Sequence, residues 1–324
     1  MLSRIMRKAA SVARNRWADY TRRDRLFTEG KRLLWTGPEI DRLLDYMHAW
    51  KNLQYRPHLR SPRTLNEFIL ASKYDFQGDM ALARRIADKV EFKAWLNETP
   101  ARRPLVVPTL AVFDTPQELH GRVFDADMIL KPTHISGNVI LIDRRRQLTD
   151  DELRQVERWH RRDYYKLSRE PVYKGLAPRI ICEPLLRDQD GLPARDFKFL
   201  MIGGRPLMIQ LDQDRHTGHN RQLYSPDWKL QEFEWVYPRP ADSFPRPIQL
   251  DAALKAASDL AHLFPLCRVD LYLLPDGAIK AGEVTFFPDG GKGRFNPVEG
   301  DFELGRKAKV LMSGSLMPER ISEG

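Results

Sequence analysis

The sequence predicts an α+β protein, with a helical N-terminal region followed by a body of mixed strands and helices. Three observations point there. Apolar residues recur at helical spacing over residues 39–56 and again from about 64 to 97. Thr64 with Glu67, and Thr149 with Glu152, form two capping-box patterns that mark helix starts. Two apolar hairpin patterns, turning at Gly203-Gly204 and at Asp276-Gly277, mark antiparallel strands.

In chain order, the first element is a basic amphipathic arm. On a helical wheel Leu2, Ile5, Met6, Ala9, Ala13, Trp17 and Tyr20 cluster on one side, and Arg4, Arg7, Lys8, Arg14, Arg22 and Arg25 on the other. Such a helix can lie on an anionic membrane or pack on the protein's own body. The second helix covers 39–56, and helical patterns opened by Thr64 run to about 97. Pro104 to Phe113 is strand-like, with prolines at its edges. Met128–Lys131 and Val139–Ile142 are short strands around a turn, and Thr149 opens a helix to about 163. Arg179–Leu186 is a strand, Phe197–Leu211 a hairpin, and 249–264 a helix leading into the last hairpin. No internal repeat or low-complexity linker interrupts this order.

Charge is unevenly placed. Residues 1–60 hold 14 Lys/Arg and 6 Asp/Glu, a net +8 out of +9 for all 324 residues. A nearly neutral body argues against a nucleic-acid channel. Cys182 and Cys267 lie in apolar runs, which suits buried free thiols in a reducing cytoplasm. No run approaches the roughly 18–20 apolar residues of a membrane span, and the N-terminus lacks the apolar stretch of a secretory signal.

The most informative stretch is Arg268 to Thr285. Two apolar strands each carry one carboxylate, Asp270 and Glu283. If Asp276-Gly277 is a two-residue turn, the two face each other on one side of the sheet. A three-residue Pro-Asp-Gly loop would instead put them on opposite faces. Facing like charges need a neutraliser, and a hard divalent cation is a natural one. A second constellation is Leu130-Lys-Pro-Thr-His-Ile-Ser-Gly-Asn138. A strand-end lysine beside a small polar loop suits a phosphate, although any β-turn can read Ser-Gly-Asn. His134 in this run could touch phosphate or orient the turn. Lys89, after Asp88 and before a helix, reads alone as a surface residue. His216 and His219 sit in a loop-like run and could ligate a metal or belong to a substrate loop. Asp289, Arg294 and Asn296 flank a glycine-rich loop that could cover a substrate or be an ordinary surface loop.

Taken in order, Ser61–Glu67, Asp88-Lys89, Leu130–Gly137, Arg179–Leu186, Asp196-Phe-Lys198, Arg268-Val-Asp270 and Gly282–Pro288 resemble the ATP-grasp superfamily, most closely its TupA-like (teichuronopeptide biosynthesis) branch. The resemblance runs from about Tyr55 to Gly305. It implies an ATP-grasp fold, two α+β subdomains clasping ATP, with an arm over 1–60, a pre-ATP-grasp region over 61–125, a nucleotide-binding subdomain over 126–188, a metal-bearing lobe over 189–313 and a tail over 314–324. It implies that Lys89, Lys131, Ser136 and Gly137 meet the nucleotide, with Glu183, Leu185 and Leu186 along the adenine. Asp270 and Glu283 match the Mg²⁺ (or Mn²⁺) ligands, and the family's spacing favours the two-residue turn. Thr285 stands where many members have Asn. Arg268, Lys198 and Arg215 are implied at phosphate or substrate carboxylate.

The function so implied is a ligase joining a small-molecule or sugar carboxylate to an amine through an acyl phosphate, in cell-surface polysaccharide or peptide-polymer assembly. Arg215, Arg221 and Arg294 are the basic residues left to receive an acidic substrate. The expected location is cytoplasmic, peripheral at the inner face of the membrane through residues 1–25, with no nucleic-acid partner. A glycosyltransferase-like enzyme, an ATP-grasp kinase and an inactive surface-binding protein are the alternatives. The first predicts a sugar-nucleotide site, and intact Lys131, Asp270 and Glu283 argue against the last.

Overall fold

The structure, a computed structural model, describes residues 37–142, 145–213, 219–240 and 242–313. The expected arm helix, the tail, Arg215 and His216 lie outside the described residues. Helix α1 (Pro38–Leu53) forms where its spacing predicts. Helix α2 (Leu65–Tyr74) begins with the predicted box, Thr64 accepting from the Glu67 N–H at 3.1 Å while Glu67 accepts from the Thr64 N–H at 3.3 Å. The helical pattern to residue 97 divides into two further helices, α3 (Met80–Ala87) and α4 (Lys89–Asn97). Asp79 and Asp88 break it, each turning its carboxylate onto the first N–H groups of the next helix.

The strand expected at 104–113 shrinks to β1 (Ala111–Phe113). Pro104 sits in a 3₁₀ turn over Arg103–Leu105. Neither it nor Pro108 has an N–H to give to a ladder. Strands β2 (Met128–Pro132), β3 (Ile140–Ile142) and β4 (Ile180–Pro184) join β1 in an antiparallel sheet of order β1-β4-β2-β3. One face packs Leu130, Ile140, Ile142 and Cys182 on helix α5 (Asp150–His160) through Val156 and Trp159. A short helix α6 (Tyr164–Ser168) follows. Both cysteines are buried free thiols, as expected.

The second sheet contains β5 (Asp196–Ile202), β6 (Arg205–Gln213), β7 (Asn220–Tyr224), β9 (Leu266–Leu273) and β10 (Ile279–Thr285), in the order β10-β9-β5-β6-β7. Helix α7 (Leu250–Ala261) covers its apolar face, where Phe199, Met201, Ile209, Val269 and Leu271 join the larger core. A two-stranded pair, β8 (Glu234–Trp235) with β11 (Phe295–Asn296), and a C-terminal helix α8 (Glu299–Ser313) complete the chain.

The carboxylate hairpin corrects both sequence alternatives. The turn is the three-residue Pro275-Asp276-Gly277 loop, since the Leu274 N–H donates to the Ala278 carbonyl at 2.9 Å. A two-residue turn is therefore not formed. Ala281 pairs with Leu271, but Glu283 pairs with Asp270, because a bulge at Gly282 shifts the register by one. The bulge returns the two acids to one face. A Cβ on Gly282 would stand 3.0 Å from the Tyr272 ring, which would have to give by a few tenths of an ångström.

The glycine-rich loop is anchored on the body at Gly291 rather than being an ordinary surface loop. Gly291, at φ +66°, packs so closely on α2 that a Cβ would lie 2.7 Å from the Leu70 nitrogen and 2.8 Å from the Asn66 carbonyl. We expect Gly291→Ala to cost on the order of 2–4 kcal/mol, from strain and overpacking together. Gly121, at φ +68° with open space around it, isolates the strain. Its alanine variant is expected to lose about 1 kcal/mol. Urea midpoints of the two variants check the difference, and equal losses would count against the close packing.

Candidate active site

The polar face of the five-stranded sheet looks toward the four-stranded one. Alternation along β2 buries Met128, Leu130 and Pro132 and leaves Ile129 and Lys131 on the opposite side. These two, with Leu141, Glu183, Leu185, Leu186, Pro193, Ala194 and Tyr272 of β9, line an apolar slot between the sheets. The Leu185 N–H donates to the Asp127 carbonyl at 3.2 Å, and the Leu186 carbonyl accepts from Ala194 at 2.8 Å, which fixes this segment as one wall.

Glu183 sits between two lysines, 2.7 Å from Lys131 Nζ and 2.6 Å from Lys93 Nζ. Burial raises its pKa, but the two lysines outweigh burial and hold it below the usual carboxylate range. Burial also opposes the charge of Lys131, yet Tyr272 and Glu183 keep its pKa above the ordinary lysine value. Sequence reading missed Lys93, although it lies four residues after Lys89 on the same helix face.

Lys89 is the first residue of α4, beside the Asp88 cap, which Arg179 holds at 2.9 Å. Its ammonium donates to the Ile135 carbonyl at 2.8 Å and stands 3.9 Å from Glu283. It is an inward-facing residue rather than a surface one. The loop after β2 buries Thr133, His134 and Ile135, and shows Ser136 and Gly137 at its tip. His134 Nε2 lies 3.2 Å from the Trp159 carbonyl, which favours the orienting role.

At the other end of the slot, Arg268 is the centre of the charge arrangement. Its Nη2 donates to Asp270 at 2.7 Å, to Glu283 at 3.3 Å and to Thr285 at 3.2 Å, while Nε donates to the second Asp270 oxygen at 2.6 Å. Lys198 reaches Asp270 at 2.7 Å and also bonds Asp196. Burial, the largest influence, leaves Asp270 above its ordinary pKa despite Arg268 and Lys198. Burial also raises Glu283, but Lys89, Arg268 and Lys198 bring it below the ordinary range. Protein cations thus face both carboxylates in this structure: Arg268 and Lys198 at Asp270, Arg268 and Lys89 at Glu283.

A hard cation takes oxygen ligands. Asp270, Glu283 and Thr285 offer only oxygens, and they already converge on one positive nitrogen, so these residues fit Mg²⁺ or Mn²⁺. Among the described residues no group of three or more His, Cys, Asp or Glu converges. A cation here would therefore also need oxygens from its ligand or water.

Farther along the sheet, Arg221 is buried against Asp212 at 2.7 Å and Asp289 at 3.2 Å. It is therefore paired inside the protein; Arg294 is exposed, and Arg215 lies outside the described residues. His219 stacks on Tyr237 with centroids 3.6 Å apart and faces Asp212 at 3.5 Å.

Beyond Glu283 lies a group the sequence reading missed. Glu170 is buried near Lys73 of α2, Lys292 and Asp289 of the glycine loop, and Asp45 of α1. Tyr173 and Tyr164 pack edge to face at 4.7 Å, and each feels the charge of both Glu170 and Glu283. Burial pushes Glu170 from 4.5 to about 7 against the pull of Lys73 and Lys292. The folded state then holds a proton that the unfolded state has lost, so this group makes stability fall as pH rises between those values. We expect Glu170→Gln to remove that slope and to gain on the order of 1–3 kcal/mol over wild type near pH 8, with little gain near pH 4. Urea midpoints across pH check this, and a pH-independent difference would refute it.

Comparisons with known proteins add the family. No curated protein matches the chain. Among solved structures, it is similar to an L-amino acid ligase from Bacillus licheniformis, with 14% identity and a TM-score of 0.39 over 70% of this chain and 49% of that one. It is similar to the ATP-grasp ligase PsnB complexed with minimal precursor, with 15% identity and a TM-score of 0.37 over 72% and 62%. A third is the D-cycloserine synthetase DcsG, with 18% identity and a TM-score of 0.36 over 76% and 78%. The chain spans about half the length of the first and less than two thirds of the second. A family model described as TupA-like ATPgrasp matches residues 76–309, well over half of the 324-residue chain and inclusive of every charged group around the slot. The chain belongs to the TupA-like ATPgrasp family.

Proposed function

We propose that the protein is an ATP-dependent carboxylate–amine ligase working through an acyl phosphate. The observation that carries this reading is the convergence of Lys89, Lys198 and Arg268 on the acids Asp270 and Glu283 at one end of an apolar slot whose wall carries the Lys131–Glu183 pair. The slot takes the adenine, with Glu183 to Leu186 as its wall. Lys131 and Lys89 meet the phosphates, beside the Ser136-Gly137 tip. Asp270, Glu283 and Thr285 hold Mg²⁺ or Mn²⁺, which neutralises phosphate charge when bound. Phosphoryl transfer depends on positioning and charge compensation more than on covalent help, so neither buried cysteine has a role.

In the first step the substrate carboxylate attacks the γ-phosphorus and ADP leaves. Lys198 and Arg268 are placed to hold the transferred phosphoryl oxygens. In the second step the amine attacks the acyl carbon, the C–O bond to phosphate breaks, and phosphate departs with the electron pair. Resemblance to the TupA branch points to a uronic-acid or amino-acid carboxylate, in cell-surface polysaccharide or peptide-polymer assembly. It also favours a cytoplasmic site of action, with residues 1–25 peripheral at the membrane's inner face. Among the described residues no helix is long and apolar enough to cross a membrane.

The test supplies ATP, Mg²⁺, a uronate or amino-acid carboxylate and either an amine or hydroxylamine. ADP, phosphate and a condensation product should appear together, and hydroxylamine should yield a hydroxamate. A stable phosphorylated product would mean a kinase, and a new glycosidic bond would overturn the ligase reading.

A further inference from the structure

Helix α1 buries two charged residues beside Ala49 and Leu53 and leaves an apolar stripe outside. A helix on a soluble protein turns its apolar stripe inward and its charges to water. Here Asp41 and Asp45 are buried. Asp41 accepts from Arg169 and from Tyr165, each at 2.6 Å. Asp45 holds Lys73, Lys292 at 2.8 Å and Tyr74 at 2.6 Å. Ile40, Leu43, Met47 and Trp50 face outward instead, 39%, 58%, 54% and 52% exposed. Their spacing of three, four and three residues makes one continuous stripe. An apolar surface of this kind marks a docking face.

The charge beside it identifies the occupant. With both aspartates turned inward, the exposed charges over residues 37–60 are Arg42, Lys51, Arg56 and Arg60 against Glu39 alone. The chain that leads into α1 adds ten Lys/Arg and three Asp/Glu over residues 1–36. A second copy of this chain would bring two such positive regions together, whereas an anionic lipid surface compensates them. We propose that the exposed stripe of α1 docks on an anionic lipid bilayer, lying in the plane of the headgroups. Ile40, Leu43, Met47 and Trp50 enter the acyl boundary, and the lysine and arginines face lipid phosphates. Trp50 suits the boundary because its ring is apolar and its N–H can remain at headgroup level. The contact is made by a folded element of the body and is separate from any contact of residues 1–25.

Co-sedimentation of the full chain with phosphatidylglycerol–phosphatidylcholine vesicles and with pure phosphatidylcholine vesicles tests this. Wild type should bind the anionic vesicles, less at high salt, and bind the neutral ones weakly. The double variant Leu43→Glu, Met47→Glu should partition roughly tenfold or more weakly, with unchanged circular dichroism and melting temperature. Trp50→Ser, a milder change at an exposed position, should weaken binding in the same direction. Equal binding of wild type and both variants would overturn the proposal, as would equal binding to neutral and anionic vesicles. A wild-type dimer in light scattering that the double variant converts to monomer would also overturn it, making the stripe a contact between copies.

Discussion

Replacing Asp270 with asparagine is expected to abolish metal-dependent ATP turnover and to destabilise the fold as well. The activity loss, roughly 10²–10³-fold or more, follows from removing one of two proposed metal acids where phosphate charge must be neutralised. The stability loss follows from the ligand-free geometry. Asp270 accepts from Arg268 through both oxygens and from Lys198 at 2.7 Å, and side-chain exposures there are 2% for the acid, 12% for Arg268 and 6% for Lys198. Removing the central anion takes three charge-assisted hydrogen bonds from Arg268 and Lys198, which keep Glu283 and Asp196 as partners; this outweighs the relief of an acid whose burial raises its pKa, for a net loss on the order of 1–3 kcal/mol. From sequence alone the reverse sign is natural, since relieving two opposed carboxylates should help. Arg268 and Lys198 remove that repulsion in the folded protein. Glu283→Gln should show the contrast, with a comparable loss of turnover and little loss of stability, because its carboxylate is 26% exposed and leaves Arg268 still bound to Asp270. Urea unfolding and an ADP-release assay on both variants separate the two effects. Equal stability of the two would contradict the charge geometry, and near-normal ADP release by both would remove the metal assignment.

Local signals in the sequence were reliable where one residue type did one job. The boxes at Thr64 and Thr149 mark helix starts because a hydroxyl and a carboxylate three residues apart close on the same backbone. The Gly203-Gly204 turn is equally direct, with both glycines at positive φ between paired Ile202 and Arg205. The facing of Asp270 and Glu283 was reached for an incomplete reason. Turn length alone puts them on opposite faces, and the bulge at Gly282 corrects it. A glycine in a strand next to an acid was the available signal.

Less legible were interactions made across long sequence separations. Lys73, Lys292 and Glu170 come from three distant segments and meet at Asp45 only when the body folds. Each alone reads as a solvated charge. Arg221 read as a free cation for the same reason, since Asp289, 68 residues later, binds it through a loop whose glycines read as flexibility. Helix α8 was missed because its buried residues include Gly300, Asp301 and Gly305, which no hydrophobic periodicity reveals. Asp301 is held in place by Tyr55 at 2.6 Å and by the Asn66 side chain at 2.7 Å.

Lys131 and Glu183 provide the other large effect, and the two should fail in different ways. Glu183 bridges Lys131 and Lys93, with side chains 6%, 11% and 8% exposed. Lys131→Ala leaves Glu183 still paired with Lys93, so stability should fall little. The variant lacks the ammonium proposed to meet the nucleotide phosphates. Affinity for ATP should therefore weaken by on the order of 1–3 kcal/mol, the range for a lost charge-assisted hydrogen bond. Glu183→Ala removes the shared anion and leaves the buried ammonium groups of Lys131 and Lys93 without the carboxylate that joins them. Here the fold should lose on the order of 3–5 kcal/mol. Bound ATP should restore part of that stability, because phosphate charge compensates the lysines in place of the missing carboxylate. Thermal melts with and without nucleotide, together with calorimetric titration, read both quantities. Unchanged affinity in Lys131→Ala would return the β2 loop to a purely structural role. A Glu183→Ala melt no more shifted by ATP than wild type would place the phosphates away from these lysines.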